Sequence, residues 1–210
     1  MDRAHRPYFW LAGVLITAEV AVWLLGGAAG SEASARLWLV GRLGFWPGLL
    51  GDWQSNFRLQ PITMFATYWL IHAGPIHLAG NIALIGWFAR QIGPALRPSE
   101  TVEIWVGSVL GGGIAFGALS HSFSPMIGAS GGAFGLLGAY VAIDHVDSLR
   151  TRGVRYARIR TGIICFVILT LSLVDFTLRD AVLAWQAHLG GFVTGLVLTW
   201  ATGAASRQSP

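Results

Sequence analysis

Apolar residues run along this chain in long blocks, with polar positions gathered between them. About 20 mostly apolar residues let a helix cross the hydrocarbon core of a bilayer, so the blocks read as transmembrane helices. Six qualify, at residues 8–28, 75–94, 102–120, 129–146, 160–176 and 184–203. The pattern predicts a single all-α integral membrane domain over residues 1–210, a bundle of six transmembrane helices. Residues 29–62 interrupt it, mixing Trp38, Trp46 and Trp53 with Arg36, Arg42 and Arg58. That mixture suits an interfacial, partly helical first loop whose indoles keep their N–H groups in water.

Composition strengthens this picture. A hydrophobic fraction of 54% against a charged fraction of 11% is wrong for a soluble domain and points to lipid as a partner. All fourteen basic residues are arginine, scattered over loops and termini rather than along a stripe, which argues against nucleic acid. They speak instead about topology. Arg150 to Arg160 holds five arginines in eleven residues, and with six spans Arg3, Arg6, Arg90, Arg97 and Arg207 fall on the same side. That side, with both termini, is expected to be cytoplasmic. The connections at 121–127 and 177–183 carry only Arg179 and go to the opposite face. The first block is long for a signal peptide and is followed by five more, so it reads as an uncleaved span. Cys165 lies inside an apolar run, leaving no intramolecular disulfide and no thiolate cluster to build.

Polar groups inside spans are costly and mark function. Here they are Glu19, His72, His77, Asn81, Ser130 and His188, with Asp144 and Asp175 nearer span ends. Ser130 stands in Gly128-Ala129-Ser130-Gly131, where a span begins. A helix N-terminus offers free N–H groups and a positive dipole end, which favour a developing oxyanion. Glycines beside it let a carbonyl approach. The same motif also fits an N-cap serine in a packing helix. His188, in Ala187-His188-Leu189-Gly190-Gly191, opens the last span, where Gly191 and Gly195 form G-x-x-x-G. Small residues four apart permit close helix approach, and Gly131, Gly132, Gly135 and Gly138 line the fourth span. If those faces meet, His188 can serve Ser130 as general base; otherwise it is a histidine bonded to a neighbouring helix. His77 and Asn81, four apart, share a helical face and can both donate hydrogen bonds to an oxyanion. A metal site is disfavoured, because asparagine is a poor ligand and no second cysteine or H-E-x-x-H is present. Glu19 reads either as part of an interior hydrogen-bond network or as a lining of a water cavity.

Taken together, His77-Leu78-Ala79-Gly80-Asn81, Gly128-Ala129-Ser130-Gly131-Gly132-Ala133-Phe134-Gly135 and Ala187-His188-Leu189-Gly190-Gly191 with Gly195 resemble the rhomboid intramembrane serine proteases, over about residues 60–203. The resemblance implies a Ser130–His188 dyad without an acidic third member, and oxyanion stabilisation by His77, Asn81 and the Ser130 amide. It sets Phe134 against the catalytic histidine and matches His72 to a further family histidine. Asp144, fourteen residues past Ser130, lies about 21 Å along a helix from it and is too far to orient His188. The implied substrates are membrane-anchored proteins cut in or near a transmembrane helix, with no cofactor; a small arginine-rich chain without a targeting sequence is itself expected in a bacterial cell membrane. The family's Trp-Arg pair before the second span is replaced by Ile62-Thr63-Met64. Competing readings are a sorting protease of the same superfamily, a non-catalytic relative that binds membrane helices, and a transporter. The last would show paired half-spans, which this chain does not.

Overall fold

The computed structural model describes residues 3–28, 30–164, 166 and 184–207. Predicted span five beyond its first turns, Cys165, Asp175, Arg179 and Asp180 lie outside them. The fold is all-α, and among the described residues the single β-like feature is an isolated antiparallel bridge between Phe45 and Met126.

Helix α1 (Arg6–Ala28) continues a 3-10 turn at Arg3–His5. The first loop contains α2 (Glu32–Leu43), a 3-10 turn at Pro47–Leu50, α3 (Gln60–Thr67) and a further 3-10 turn at Tyr68–Leu70. Then come α4 (Pro75–Ile92) and α5 (Pro98–Leu119), each with proline at its first position, where the missing N–H costs nothing. Helix α6 (Ser130–Arg152) ends at Gly153, whose φ of 84° stops the helix. Residues 154–164 are helical (α7), and α8 spans Trp185–Ala201. Helices α1, α4, α5 and α8 lie within about four residues of the apolar blocks at 8–28, 75–94, 102–120 and 184–203, whereas α6 runs on past 146 to Arg152, because Asp144 to Arg152, though polar, remain helical.

Among the described residues, two helices, Arg3–Ala28 and Pro98–Leu119, are long and apolar enough on their own to cross a membrane. Phe9, Trp10, Trp23 and Leu24 on α1, Ile114 on α5 and Val197 and Trp200 on α8 face outward. Such a surface is a liability in water and ordinary in lipid. Helix α6 is the axis of the bundle, packed against both α5 and α8. Its glycines set those distances. A Cβ at Gly191 would collide with the Gly131 carbonyl oxygen, one at Gly195 with the Gly135 carbonyl oxygen, and one at Gly138 with the Phe192 carbonyl oxygen. The α6–α8 seam is therefore backbone against backbone.

Arginines gather at one end. Gly93 packs beside His5 and Tyr8, which brings the start of α1 next to the α4–α5 turn. Arg97 and Arg207 both bind the buried Glu100 carboxylate, and Arg150 donates to the Ser206 carbonyl at 3.1 Å. The C-terminal segment is thereby fastened to the start of α5.

The first loop is better ordered than the mixed pattern of residues 29–62 implies. Phe45 is buried edge-on against Phe65, Tyr68 and Phe116. Trp46 departs from the interfacial expectation, because its indole N–H donates to the Val40 carbonyl at 3.0 Å. Trp38 and Trp53 stay largely exposed, Trp38 beneath the Arg42 guanidinium and Trp53 stacked on Phe123.

Candidate active site

Ser130 is the first residue of α6, and Ala129 before it offers no side-chain cap. The amides of the first turn are thus left to other acceptors on the side where the serine hydroxyl stands. His188 lies in the first turn of α8. The glycine seam brings the two together, with His188 Nε2 2.8 Å from Ser130 Oγ. Phe134, one turn into α6, stacks flat on the imidazole at 4.1 Å and 3°. The ring plane is held, and Nε2 stays aimed at the hydroxyl. Ser130 and His188 are both half-buried, open enough to meet a substrate.

Of the acids weighed in the sequence, Asp144 is paired with Arg160 at 2.8 Å and Glu19 with Arg36 at 2.6 Å. Asp175 lies outside the described residues.

His77 and Asn81 stand one turn apart in the first turns of α4. His77 Nδ1 accepts the Ala73 N–H at 3.3 Å, so the neutral ring carries its proton on Nε2. That nitrogen faces Gly128: a Cβ there would lie 2.9 Å from it. Gly128 has φ of +108°, a conformation that side chains rarely adopt, so this turn needs glycine both for its backbone and for the His77 ring. Asn81 is buried, donates from Nδ2 to the His77 carbonyl at 3.0 Å, and has a second amide hydrogen to give. Should these two donors hold an oxyanion, replacing His77 or Asn81 with alanine is expected to lower kcat about 100-fold, with KM nearly unchanged. Steady-state kinetics in detergent or liposomes would read this.

The turn that presents Ser130 is held by the first loop. Met126 exchanges two 2.9 Å backbone hydrogen bonds with Phe45, Gly128 N–H donates to the Tyr68 carbonyl at 3.0 Å, and Ala129 N–H donates to His72 Nε2 at 3.3 Å. Tyr68 itself donates to the Val109 carbonyl at 2.8 Å, with its hydroxyl against Gly131 and Gly112. Phe45, Tyr68 and Arg36 were not singled out from the sequence. An aromatic among aromatics carries no sign of its backbone role, though an acid such as Glu19 inside a span does call for a cation.

His72, grouped in the sequence with the polar residues of the spans, lies instead between α3 and α4, ahead of the second span, and is fully buried. Burial, with His77 and Arg36 nearby, pushes its pKa down to about 4 from the ordinary 6.5. It is neutral at physiological pH, as an acceptor of the Ala129 N–H must be. An unfolded chain binds this proton first, so stability is full above pH 6.5 and falls as pH drops toward about 4, where the loss levels off. The loss amounts to about 3 kcal/mol. Thermal unfolding followed between pH 7 and 4 should show this slope in the wild type and lack it in His72→Gln, whose side chain does not titrate.

The His72 and His77 rings meet edge to face at 5.1 Å, and both use ring nitrogens on backbone N–H groups. The family model for the Rhomboid domain matches residues 59–205, from the start of α3 to the turn after α8. No curated protein matches the chain.

Proposed function

This chain belongs to the rhomboid family of integral membrane proteins, and on that premise we propose that it is an intramembrane serine endopeptidase. The observation that carries the reading is the 2.8 Å contact between Ser130 Oγ and His188 Nε2 under the Phe134 ring. A serine hydroxyl is a weak nucleophile until a base takes its proton, and this geometry supplies one. Ser130 Oγ attacks the scissile carbonyl carbon as His188 accepts the hydroxyl proton. The oxyanion is met by His77 Nε2–H, Asn81 Nδ2–H and the Ser130 amide. His188 then protonates the departing amine, and a water deprotonated by the same imidazole releases the acyl group from Ser130. No cofactor enters.

In this reading residues 1–210 form one multi-pass unit of a bacterial cell membrane, with both termini cytoplasmic and a water-accessible site toward the opposite face. Substrates are membrane-anchored proteins, cut in or near a transmembrane helix. Labelling by a fluorophosphonate, abolished by Ser130→Ala, tests the reading. A chain that binds transmembrane helices yet neither labels nor cleaves would be a non-catalytic relative, and the proposal would fall.

A further inference from the structure

Glu19 sits in the middle of α1 and is buried, where an unpaired carboxylate is costly. Arg36 of α2 answers it, donating from both Nη atoms to the two carboxylate oxygens at 2.6 and 3.3 Å. Arg36 Nη1 also donates to the His72 carbonyl at 2.6 Å, and Nη2 to Glu32 at 2.7 Å. The His72 ring then accepts the N–H of Ala129, the residue before Ser130. Glu19 of α1 and Glu32 and Arg36 of α2 therefore fasten onto the His72 carbonyl through the guanidinium, and the His72 ring alone carries that hold to the turn that presents the serine. Glu19, Glu32 and Arg36 lie outside residues 59–205, in the part of the chain that the family match does not reach.

We propose that Glu19, Arg36 and His72 form a positioning relay that sets the place of the Ser130 hydroxyl, so that the first helix and first loop govern the reactivity of the nucleophile. The inference rests on the protease reading for its kinetic consequence but not for its structural one. Arg36 is the pivot. Its planar guanidinium holds a carboxylate and a carbonyl at once, which lysine cannot reproduce. Exposed Glu32 is a second anchor: once Glu19 is neutral, Arg36 swings toward Glu32 and solvent, and releases the His72 carbonyl. The His72 ring then loses its aim at Ala129. Displacing a nucleophile by about 1 Å costs up to about 100-fold in rate.

The experiment uses the full chain in liposomes, with hydrogen exchange at the Ala129 amide, the rate of fluorophosphonate labelling at Ser130, and kcat and KM on a transmembrane peptide, all per folded enzyme. Glu19→Gln, Arg36→Lys and His72→Ala should each speed Ala129 exchange and lower kcat and labelling about tenfold or more, with KM nearly unchanged. Gln and Asn at position 72 separate positioning from mere packing. His72→Gln carries an amide oxygen out to where Nε2 stands and should restore protection and rate, whereas His72→Asn reaches only as far as Nδ1 and should not. Ala129 protection unchanged in Glu19→Gln and His72→Ala overturns the relay, as does an equal loss in the Gln and Asn variants that tracks melting temperature alone. A wild type that neither labels nor cleaves overturns the protease reading instead, and Ala129 exchange still decides the relay.

Discussion

Ser130→Ala and His188→Ala are each expected to lower the cleavage rate of a transmembrane substrate by roughly 10⁴-fold or more, and the double variant to lose no more than either single one. The equality follows from chemistry. A hydroxyl without its base and a base without its hydroxyl are equally unable to open the peptide bond, so the two losses overlap. The fold should survive both changes. Ala129 rather than Ser130 stands at the cap of α6, so truncating Ser130 removes no capping hydrogen bond. His188 is half-buried, and Phe134 can settle into the space left by its ring. Gel-based cleavage with a melting curve for each variant would check this. Additive losses, or retained cleavage in either single variant, would remove the dyad from the mechanism.

Gly195→Leu is expected to be the most damaging change outside the dyad. A Cβ at this position already collides with the Gly135 carbonyl oxygen, and a backbone atom cannot turn aside as a side-chain tip can. The helices must part, and overpacking of this kind costs about 3 kcal/mol. Activity should fall further than the folded fraction does, because the seam that separates is the one that holds His188 at 2.8 Å from Ser130. Gly86→Ala on α4 is the control, since a Cβ there meets nothing within 4 Å. It should leave activity intact and stability level or slightly raised, by up to about 1 kcal/mol, from the better helix propensity of alanine. Reversible unfolding in mixed micelles, paired with cleavage, reads both quantities. A Gly195→Leu protein that folds and cleaves like the Gly86 control would show that the seam is not needed.

How much of this was legible beforehand depended on the kind of signal. Apolar blocks and proline or glycine boundaries placed α1, α4, α5, α8 and the start of α6 within a few residues, because helices in lipid must satisfy their own backbone and so declare themselves locally. His77 and Asn81 were readable as a pair for the same reason, since an interval of four settles which residues share a face. Glu19 was recognised as an anomaly but not resolved. Its partner Arg36 lies seventeen residues on, across a turn and on another helix, and no periodicity links them. The first loop hid most. Its control of the Ser130 turn runs through backbone groups of Phe45 and Tyr68 and the ring of His72, and a backbone hydrogen bond leaves no mark on residue type.

The linear pattern of residues was therefore enough for fold class and for the candidate residues: an all-α membrane bundle, a serine at a helix start, a histidine at another, and glycines at spacings that let helices touch. Each of these is a local property, written in hydropathy, turn preference or the interval between residues. The 2.8 Å between Ser130 and His188, the flat seat of His188 on Phe134, and the hold of the first loop on the serine turn came only from assembly. They join residues tens of positions apart, and such distances are set by which backbones can approach and which buried charges must find each other.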